Sequence, residues 1–393
     1  MLVRSDSRAF YLLLGLGVLV TLVGLGAAHT MEVHGHAITG MDNQTVWGLP
    51  HVFAIFLIVS ASGVLNVASI GSVFGQPVYK RRAPLSGLLS IAMLAGGLMV
   101  LMLDLGRPDR VIVAATHYNP TSVFAWNVLL YSGMFTIVAI YLWTMFERRM
   151  NRYSTAAGVA ALVWRFVLTT GTGLIFGFLV ARQAYQSALL APLFIVLSFG
   201  WGLAVFLVVQ AAMYRWNGLV LPADVQRRMA RLLGVFVAAE LYLVAVYHLT
   251  NVYYARQAGF AAFILRDGGV FPALFWVGYV LLGSVLPMVL LFHPRWGDAR
   301  GTLTAAAFVV LGAFSLLYVF IVGGQAYPLE IFPGYAVSST FADGAVAHYV
   351  PRWPEWLLGL GGVGAAFVLT TIGVRVLDFL PQDDFAPGKA VQE

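Results

Sequence analysis

Ten long apolar runs constrain this chain more than any other feature. Each run is long enough to cross the roughly 30 Å hydrocarbon core of a bilayer as a helix. Because lipid offers no hydrogen-bond partners, spanning segments of this length must form helices or a closed barrel, and continuous apolar runs favour helices. We therefore predict an all-α polytopic membrane protein of ten transmembrane helices. The predicted spans are residues 9–28, 48–74, 85–103, 122–145, 157–180, 191–213, 232–250, 271–292, 302–323 and 353–374.

The charged residues give the predicted orientation. Only 10% of residues are charged, against about 25% in soluble domains. Of the 23 Lys and Arg residues, 16 lie on the side of the N-terminus, 6 on the opposite side, and Arg165 inside a span. The positive-inside rule then places both termini in the cytoplasm, which we predict to be that of a bacterium with this chain in its inner membrane. The opposite side is called the outer face below. A net charge of +6 is thereby explained without a nucleic-acid partner.

The domain organisation follows from the same runs. Arg4 and Arg8 precede the first run as they would a signal peptide, but its apolar core exceeds the about 7 to 15 residues of a signal sequence. We predict that it is retained as a helix and that residues 1–380 form a single integral membrane domain. Residues 381–393 are predicted to be a disordered cytoplasmic tail. Helices 2–5 and 6–9 are predicted to form two four-helix bundles, flanked by helices 1 and 10.

The chain has no cysteine and eight histidines. The lack of thiols excludes a thiolate-ligated iron–sulfur cluster, a disulfide and thioether-attached haem in this chain. Seven histidines map to the outer side, which makes the outer face the predicted working face; only His293 is on the inner side. Two weaker interpretations stay open here. One is a metal bound by His29, Glu32, His34 and His36, and the other is a b-type haem held by His51 and His248.

Helix 7 carries an ionisable group near the middle of the bilayer. A carboxylate at that depth costs at least about 2.5 kcal/mol, so Glu240 is a functional candidate. Helical spacing places Tyr247, His248 and Asn251 on the same broad face, which runs toward the outer surface. We predict a proton relay along this face that also includes Arg165. The alternatives are a structural Glu240–Arg165 pair, or an Arg165 that snorkels to the interface.

Helices 2 and 4 and the turn after helix 3 provide further polar groups at the outer face. His51 is in the first turn of helix 2 and can exchange a proton near neutral pH, as quinone chemistry requires. Ser62, Asn66 and Ser69 continue inward from it, in a stripe that favours close helix packing. In the turn, Pro108 blocks further helix and Gly106 is a plausible C′ residue. Asn119, Trp126 and Asn127 lie at the start of helix 4, with helix capping and an aromatic belt as the alternative interpretation.

Three motifs carry a resemblance to a known family. VWGLPHVFAIFLIVSASGVLNVASIG at 46–71, LDLGRPDR at 103–110 and NPTSVFAWN at 119–127 resemble the polysulfide reductase membrane subunit family of the NrfD/PsrC type. VPRWPEWLLGLGG at 350–362 is similar to the ten-helix branch of that family. This branch includes the P subunit of the sulfite-reduction-associated Dsr transmembrane complex (DsrP), which the chain length and helix 7 resemble most.

The resemblance implies a function in electron transfer. Subunits of this family carry no haem or iron–sulfur cluster, and bind menaquinone or ubiquinone near the outer surface. They exchange electrons with an extrinsic four-cluster ferredoxin-like subunit on that face, within complexes that contain other membrane and cytochrome subunits. Some relatives are proposed to move protons. On this basis we assign Arg107 and Arg110 to partner docking, and the quinone site to His51, Asp104, Asn119, Trp126 and Asn127.

The sequence thus predicts a quinone-interacting membrane subunit of a respiratory or sulfur-metabolism redox complex, one that is not catalytic alone. Two other classes stay open. A b-type haem cytochrome subunit would show a haem spectrum in the purified chain. A secondary transporter would accommodate Glu240 and Arg165, but such proteins bind substrate at broken helices near the midplane. Pro287 is the only clear breaker inside a span.

Overall fold

The computed structural model describes residues 8–329 and 344–380, and the secondary-structure elements in these ranges are all helices. Ten of them are long and apolar enough to cross a membrane, which confirms the predicted number and the all-α class. The predicted tail, 381–393, lies outside the described residues. The spans are α1 Arg8–His34, α2 Leu49–Ser72, α3 Ala83–Leu103, α4 Val123–Phe146, α5 Asn151–Gly177, α6 Leu190–Asn217, α7 Ala223–Tyr253, α8 Val270–Phe292, α9 Ala299–Ala326 and α10 Trp353–Val376.

The ends of the spans differ from the predicted bounds, most at the start of α7, which begins at Ala223 instead of residue 232. In α1 and α5 the difference changes the setting of polar residues. Helix α1 continues to His34 instead of residue 28, because Ala27, Ala28 and Met31 extend its buried face. His29 and His34 are therefore on a helix. Helix α5 begins at Asn151 instead of residue 157, which leaves Arg165 near its middle. Arg165 therefore does not lie at a helix end from which it could snorkel.

Three spans depart from regular α-helix. Helix α2 is interrupted at Leu65 between Leu49–Val64 and Asn66–Ser72. Helix α8 is π-helical over Leu274–Val285 and α9 over Val319–Gly323. Segments of π-helix are rare and occur frequently at functional sites. Both of them lie within α6–α9, the part of the chain that also contains Glu240.

Short helices occupy several loops. The chain makes a 3₁₀ turn at Pro108–Arg110 and a short helix at Val111–Thr116 between α3 and α4. A helix at Ala255–Ala262 continues as a π turn at Phe263–Asp267 between α7 and α8. The remaining short elements are His36–Ile38, Pro77–Lys80 and Asn151–Tyr153, the last at the start of α5.

Helix α2 is the centre of the packing. It contacts α3, α5, α6, α9 and α10. A Cβ on Gly202 of α6 would lie 2.2 Å from the carbonyl carbon of Gly63 on α2. Only glycine permits this approach, as at the small-residue contacts of other membrane helices. Consecutive helices contact each other within α2–α5 and within α6–α9, and α1 packs on α10. The division into two four-helix bundles stays a prediction.

Candidate functional site

A cavity of about 400 Å³ lies at the outer ends of α2, α3, α4 and α5. This volume is within the range of small-molecule sites, which bind mostly through apolar side chains and a few placed polar groups. Several lining residues at the end of α3 and in the turn and short helix that follow, among them Met102 and Leu105, are exposed on the surface of the chain. The apolar lining consists of Trp47, Ile55, Leu98, Leu101, Met102, Leu105, Val111, Ala114, Phe124, Val128, Ile175, Phe176 and Ile321.

Four side chains give the cavity its polar character: His51, Asn127, Tyr131 and Ser132. The Asn127 amide nitrogen donates to the carbonyl oxygen of Val123 at 2.8 Å. Its carbonyl oxygen, Oδ1, is buried and has no hydrogen-bond partner. A buried polar atom without a partner is unusual and energetically unfavourable. Asn127 therefore lines the cavity while its own carbonyl oxygen is buried and unsatisfied.

An aromatic wall stands beside His51. The Trp47 ring is stacked on the His51 imidazole, with centroids 6.0 Å apart. Phe176 meets Trp47 edge to face at 5.5 Å, and Phe124 lies at 6.3 Å. Such offset and edge contacts are the favoured arrangements of aromatic rings. The wall fixes the imidazole orientation and gives a flat ligand a surface on which to stack.

Asp104 lies between two histidines. Its Oδ2 is 2.9 Å from His51 Nδ1, and its Oδ1 is 3.7 Å from His36 Nε2. His36 Nε2 also lies 3.0 Å from the Asp104 carbonyl oxygen. The hydrogen bond with Asp104 raises the pKa of His36. Burial acts to raise the pKa of Asp104, but the hydrogen bonds and charges of the two histidines outweigh it and hold that pKa below its ordinary value.

The turn after α3 explains how Asp104 reaches this position. Helix α3 ends at Leu103, and the Asp104 amide still donates to the Val100 carbonyl. Gly106 is left-handed, with φ of +71°, two residues beyond the C-cap and not at C′ as predicted. A Cβ there would lie 3.4 Å from His36 Cε1. The turn thus brings the end of α3 against the His36 ring.

The structure places the five residues predicted for the quinone site in different surroundings. His51 and Asn127 line the cavity, whereas Asp104 lies behind His51 with a side chain only 1% exposed. Asn119 and Trp126 do not line it. Asn119 Oδ1 accepts from the Thr121 amide, and Trp126 Nε1 donates to the Pro120 carbonyl. The last two contacts match the capping and aromatic-belt alternative.

The two arginines predicted for partner docking lie close to this site. Arg107 and Arg110 are exposed on the outer face, in the turn that follows Asp104. Arg107 makes a two-pronged pair with Asp109, each contact 3.0 Å long. Arg110 is the last residue of the 3₁₀ turn. The surface beside the cavity therefore carries both signs of charge.

The predicted relay residues of α7 are buried but separated along the helix. Glu240 accepts a hydrogen bond from the Trp201 indole, while its Oε1 has no partner. The Tyr247 hydroxyl donates to the Ala184 carbonyl. His248 packs on Phe275, with centroids 4.6 Å apart, and its Nδ1 has no partner; nor has Asn251 Nδ2. A void of about 20 Å³ beside Tyr247 and His248 is large enough for one water.

The proposed structural pair between Arg165 and Glu240 is wrong. Arg165 Nη1 donates to Asn66 Oδ1 at 2.6 Å and to the Ser62 carbonyl at 3.2 Å. The packing of α5 on α2 directs its side chain to these groups, while Glu240 faces Trp201 on α6. Ser62 and Asn66 of the α2 stripe therefore hold a buried guanidinium.

Sequence reasoning missed His36, Trp47 and Tyr131 as parts of the site. Trp47 is in the first motif, four residues before His51 and two before the start of α2, so its position next to His51 was a usable signal. His36 was grouped with the candidate metal ligands, yet its ring faces Asp104. Among the described residues no group of three or more His, Cys, Asp or Glu is arranged to hold a metal ion.

Comparison with known proteins agrees with the motif resemblance. The chain is 28% identical to the Hdr-like menaquinol oxidoreductase integral membrane subunit of Archaeoglobus fulgidus, over 97% of this chain and 96% of the relative. It is 21% identical to the menaquinone reductase integral membrane subunit of Nitratidesulfovibrio vulgaris, over 92% and 89%. It is 23% identical to the protein NrfD of Escherichia coli, over 71% and 95%.

A family comparison covers most of the chain. Residues 37–328 match the family described as Polysulphide reductase, NrfD. The match begins just before the outer segment that precedes α2 and ends just after α9. It therefore includes every residue of the cavity, together with Asp104, and begins one residue after His36. The chain is a multi-pass integral membrane protein and belongs to the NrfD family of polysulphide reductase membrane subunits.

Proposed function

We propose that this chain is the quinone-interacting membrane subunit of a multi-subunit redox complex. It exchanges electrons between a membrane menaquinone or ubiquinone and an extrinsic four-cluster ferredoxin-like iron–sulfur subunit. That partner docks on the outer face, which is the periplasmic face of a bacterial inner membrane, with both termini cytoplasmic. The names of two relatives, a menaquinol oxidoreductase subunit and a menaquinone reductase subunit, support the quinone assignment. A Dsr-type complex in sulfur metabolism is the specific assignment we propose.

One observation carries the proposal: the outer cavity has a titratable His51 at its wall, backed by the buried carboxylate of Asp104. Quinone chemistry requires an apolar space for a flat ring and a group that exchanges protons. The volume of about 400 Å³, the aromatic wall and the unpartnered Asn127 Oδ1 fit such a ligand. The exposed apolar residues beside the cavity fit an isoprenoid tail that lies in lipid.

A bound quinone would supply two-electron, two-proton redox chemistry, and the residues of this chain serve it as follows. His51 Nδ1 lies 2.9 Å from Asp104 Oδ2. This contact would favour a proton on Nδ1 and leave the other ring nitrogen to exchange a proton with the ligand. Asn127 would have to turn its amide toward the cavity for Oδ1 to accept a hydrogen bond from a ligand hydroxyl. Trp47 and Phe176 flank the site and exclude water.

The outer surface beside the cavity is the proposed docking place of the electron partner. Arg107 and Arg110 are exposed there, immediately after Asp104 in the chain. Both are close in the chain to the residue that contacts His51. Docking at this surface would bring a redox centre of the partner close to the cavity. Charge complementarity at such a rim acts mainly on the rate and specificity of association.

Proton transfer through α7 is a second proposed activity of the same subunit. Glu240 is 2% exposed in the middle of the spans, and its Oε1 has no partner. Intramembrane ionisable groups commonly mark proton pathways. Tyr247, His248 and Asn251 continue toward the outer face, where the small void can hold one bridging water. Arg165 is no longer part of this proposed route, because it is held by α2.

The test of the quinone proposal uses the intact complex in membranes. His51→Ala is expected to reduce quinol-dependent reduction of the partner by about a hundredfold, the range of a lost general base. The amount of assembled complex should be unchanged. His117→Ala is the matched control, since His117 is exposed, bonds only to Thr116 and does not line the cavity. Normal rates for His51→Ala, or loss of the whole complex from the membrane, would contradict the proposal.

A further inference from the structure

A second, water-accessible cleft lies on the outer face, on the other side of Asp104 from the cavity. Its volume is about 180 Å³, enough for several waters. It is lined by the end of α1 and by the turn after α3. His36 is on its wall and has a side chain 34% exposed. The exposed His29 and Glu32 of α1 are also on its wall.

We propose that His51, Asp104 and His36 form a proton wire that connects the apolar cavity to the outer aqueous phase, with His36 as its exit residue. The inference rests on the proposed quinone function. It adds the side of the membrane with which the ligand exchanges protons and the residue that hands them to water. Each end of the wire meets a different space: His51 lines the cavity and His36 lines the cleft.

The distances between Asp104 and the two histidines are the first support for a direct proton route. His51 Nδ1 is 2.9 Å from Asp104 Oδ2, which is hydrogen-bond length. Asp104 Oδ1 is 3.7 Å from His36 Nε2, which is beyond hydrogen-bond length. His36 Nε2 is 3.0 Å from the Asp104 carbonyl oxygen, so the half-buried ring must shift from the carbonyl to the carboxylate to complete the second link. No other group needs to intervene. The two histidines stand on opposite sides of one carboxylate, whose side chain is only 1% exposed.

The charges around Asp104 also favour proton transfer between the two histidines. A buried carboxylate without a partner is costly, and Asp104 is stabilised because either neighbouring histidine can be cationic. When His51 takes up a proton, His36 can therefore release one, and the total buried charge of His51, Asp104 and His36 is unchanged. His36 faces Asp104 at the C-cap of α3, Glu32 and His29 on α1, and Glu355 on α10. The carboxylates of Asp104 and Glu355 favour its cationic form. The exposed Arg107 pairs with Asp109 in the neighbouring turn.

The proton balance is simple. Oxidation of one quinol sends two electrons to the iron–sulfur partner and leaves two protons, which the wire carries one at a time. His51 accepts a proton at its cavity-side nitrogen and gives one from Nδ1 to Asp104 Oδ2. The neutral Asp104 carboxyl group then turns so that its proton faces His36 Nε2, and transfers it there. Asp104 thereby returns to the carboxylate, and His36 releases a proton from Nδ1 to the cleft. Ring tautomerisation then resets both histidines. Quinone reduction uses the same route in the opposite direction.

The experiment measures turnover of the intact complex with a short-chain naphthoquinol, together with binding of that quinol. His36→Ala is expected to lower turnover at least about tenfold with binding unchanged, and millimolar imidazole should restore most of the rate. His34→Ala is the matched control, because His34 is exposed and bonds only to the Thr30 carbonyl. It should keep the wild-type rate and show no response to imidazole.

Three results would overturn the wire, and they are distinguishable. Unchanged turnover of His36→Ala would remove His36 from the route. A loss that imidazole does not rescue would mark His36 as a packing residue of the turn. If the wild-type complex does not bind the naphthoquinol, the proposed function itself fails, and the wire with it.

Discussion

The carboxylate at the end of α3 and the imidazole at the start of α2 meet directly: Asp104 Oδ2 lies 2.9 Å from His51 Nδ1. The contact is made at the outer ends of the two spans, with Asp104 almost fully buried. A carboxylate in such a place needs a cation or several donors. The Asp104 carboxylate faces His51 on one side and His36 on the other. These contacts stabilise the turn, and their strength depends on pH because the histidines titrate.

The first prediction concerns that pH dependence. The pKa of His36 is raised from 6.5 by Asp104, so its contribution to stability is complete below about pH 6.5 and is lost as the pH rises through the raised value. The pKa of Asp104 is lowered from 3.8, so its contribution is present above about pH 4 and is lost as the pH falls through the lowered value. The joint contribution is therefore largest between about pH 4 and 6.5.

The variant His36→Gln tests this expectation. We expect its melting temperature in detergent to fall furthest below that of the wild type near pH 5 to 6. The difference should shrink as the pH rises through the raised pKa of His36, above which the imidazole is neutral in both the folded and the unfolded state. His34→Gln should follow the wild type at every pH. A difference for His36→Gln that is the same from pH 5 to 9 would show that the contact with Asp104 does not depend on charge.

The second prediction concerns Arg165. Its guanidinium donates to Asn66 Oδ1 and the Ser62 carbonyl, and hydrogen bonds to a charged group contribute about 1.5 to 3 kcal/mol each. We expect Arg165→Leu to lower the free energy of unfolding by about 3 kcal/mol, as measured by denaturant titration in micelles. Turnover per folded complex should be preserved. Arg375→Leu is the control, since Arg375 is only half-buried, donates to the Tyr11 hydroxyl and is not part of the α2–α5 contact. Lost turnover with normal stability would return Arg165 to the proton relay.

These contacts show what could be inferred from sequence and what could not. The ten spans follow from hydrophobicity alone, because the bilayer imposes length and backbone pairing on every helix. The polar partners do not. Arg165 and Glu240 are both ionisable and deep in spans, so the sequence favours an ion pair between them. In the structure, helix packing instead places the side-chain amide of Asn66, on α2, next to the Arg165 guanidinium. His36 is near other histidines in the chain, whereas its actual partner, Asp104, comes from α3. Such pairings depend on helix rotation and loop paths, which no local pattern encodes.

The third prediction concerns Glu355, at the start of α10. Its Oε2 accepts from the Gly40 amide at 2.8 Å and from the Arg352 amide at 2.7 Å. Its Oε1 accepts from the Tyr349 hydroxyl, which in turn accepts from the Leu49 amide. The carboxylate thus joins α10 to the outer segment that leads into α2 and to the first residue of that helix.

We expect Glu355→Gln to lower the free energy of unfolding by about 2 kcal/mol, because charge-assisted hydrogen bonds become neutral ones. Tyr349→Phe removes one hydroxyl and should cost about 1 kcal/mol. Both can be measured by denaturant titration, and limited proteolysis should detect increased cleavage between α1 and α2. The double variant should cost less than the sum, since the two residues share a hydrogen bond. Additive effects would argue against the shared network.

The fourth prediction tests the proton route through α7. Glu240 lies against Gly200, where a Cβ would be 1.7 Å from Oε1, so the helix α6 backbone leaves room for the carboxyl group and little else. Gln is close to isosteric with the protonated acid but cannot transfer a proton. We therefore expect Glu240→Gln to assemble normally and to reduce the proton yield per electron in proteoliposomes, with turnover lowered at least about tenfold.

The neighbouring residues separate this route from the outer wire. Gly200→Ala should displace the carboxyl group and reproduce the proton-yield defect, with a loss of stability that Glu240→Gln does not show. His36→Ala should affect the rate and respond to imidazole, while Glu240→Gln should be insensitive to imidazole, because Glu240 is buried among α6, α7 and α8. Wild-type proton yield in Glu240→Gln would assign the carboxyl group to packing alone. The quinone chemistry of the outer cavity would then exchange its protons only through His51, Asp104 and His36.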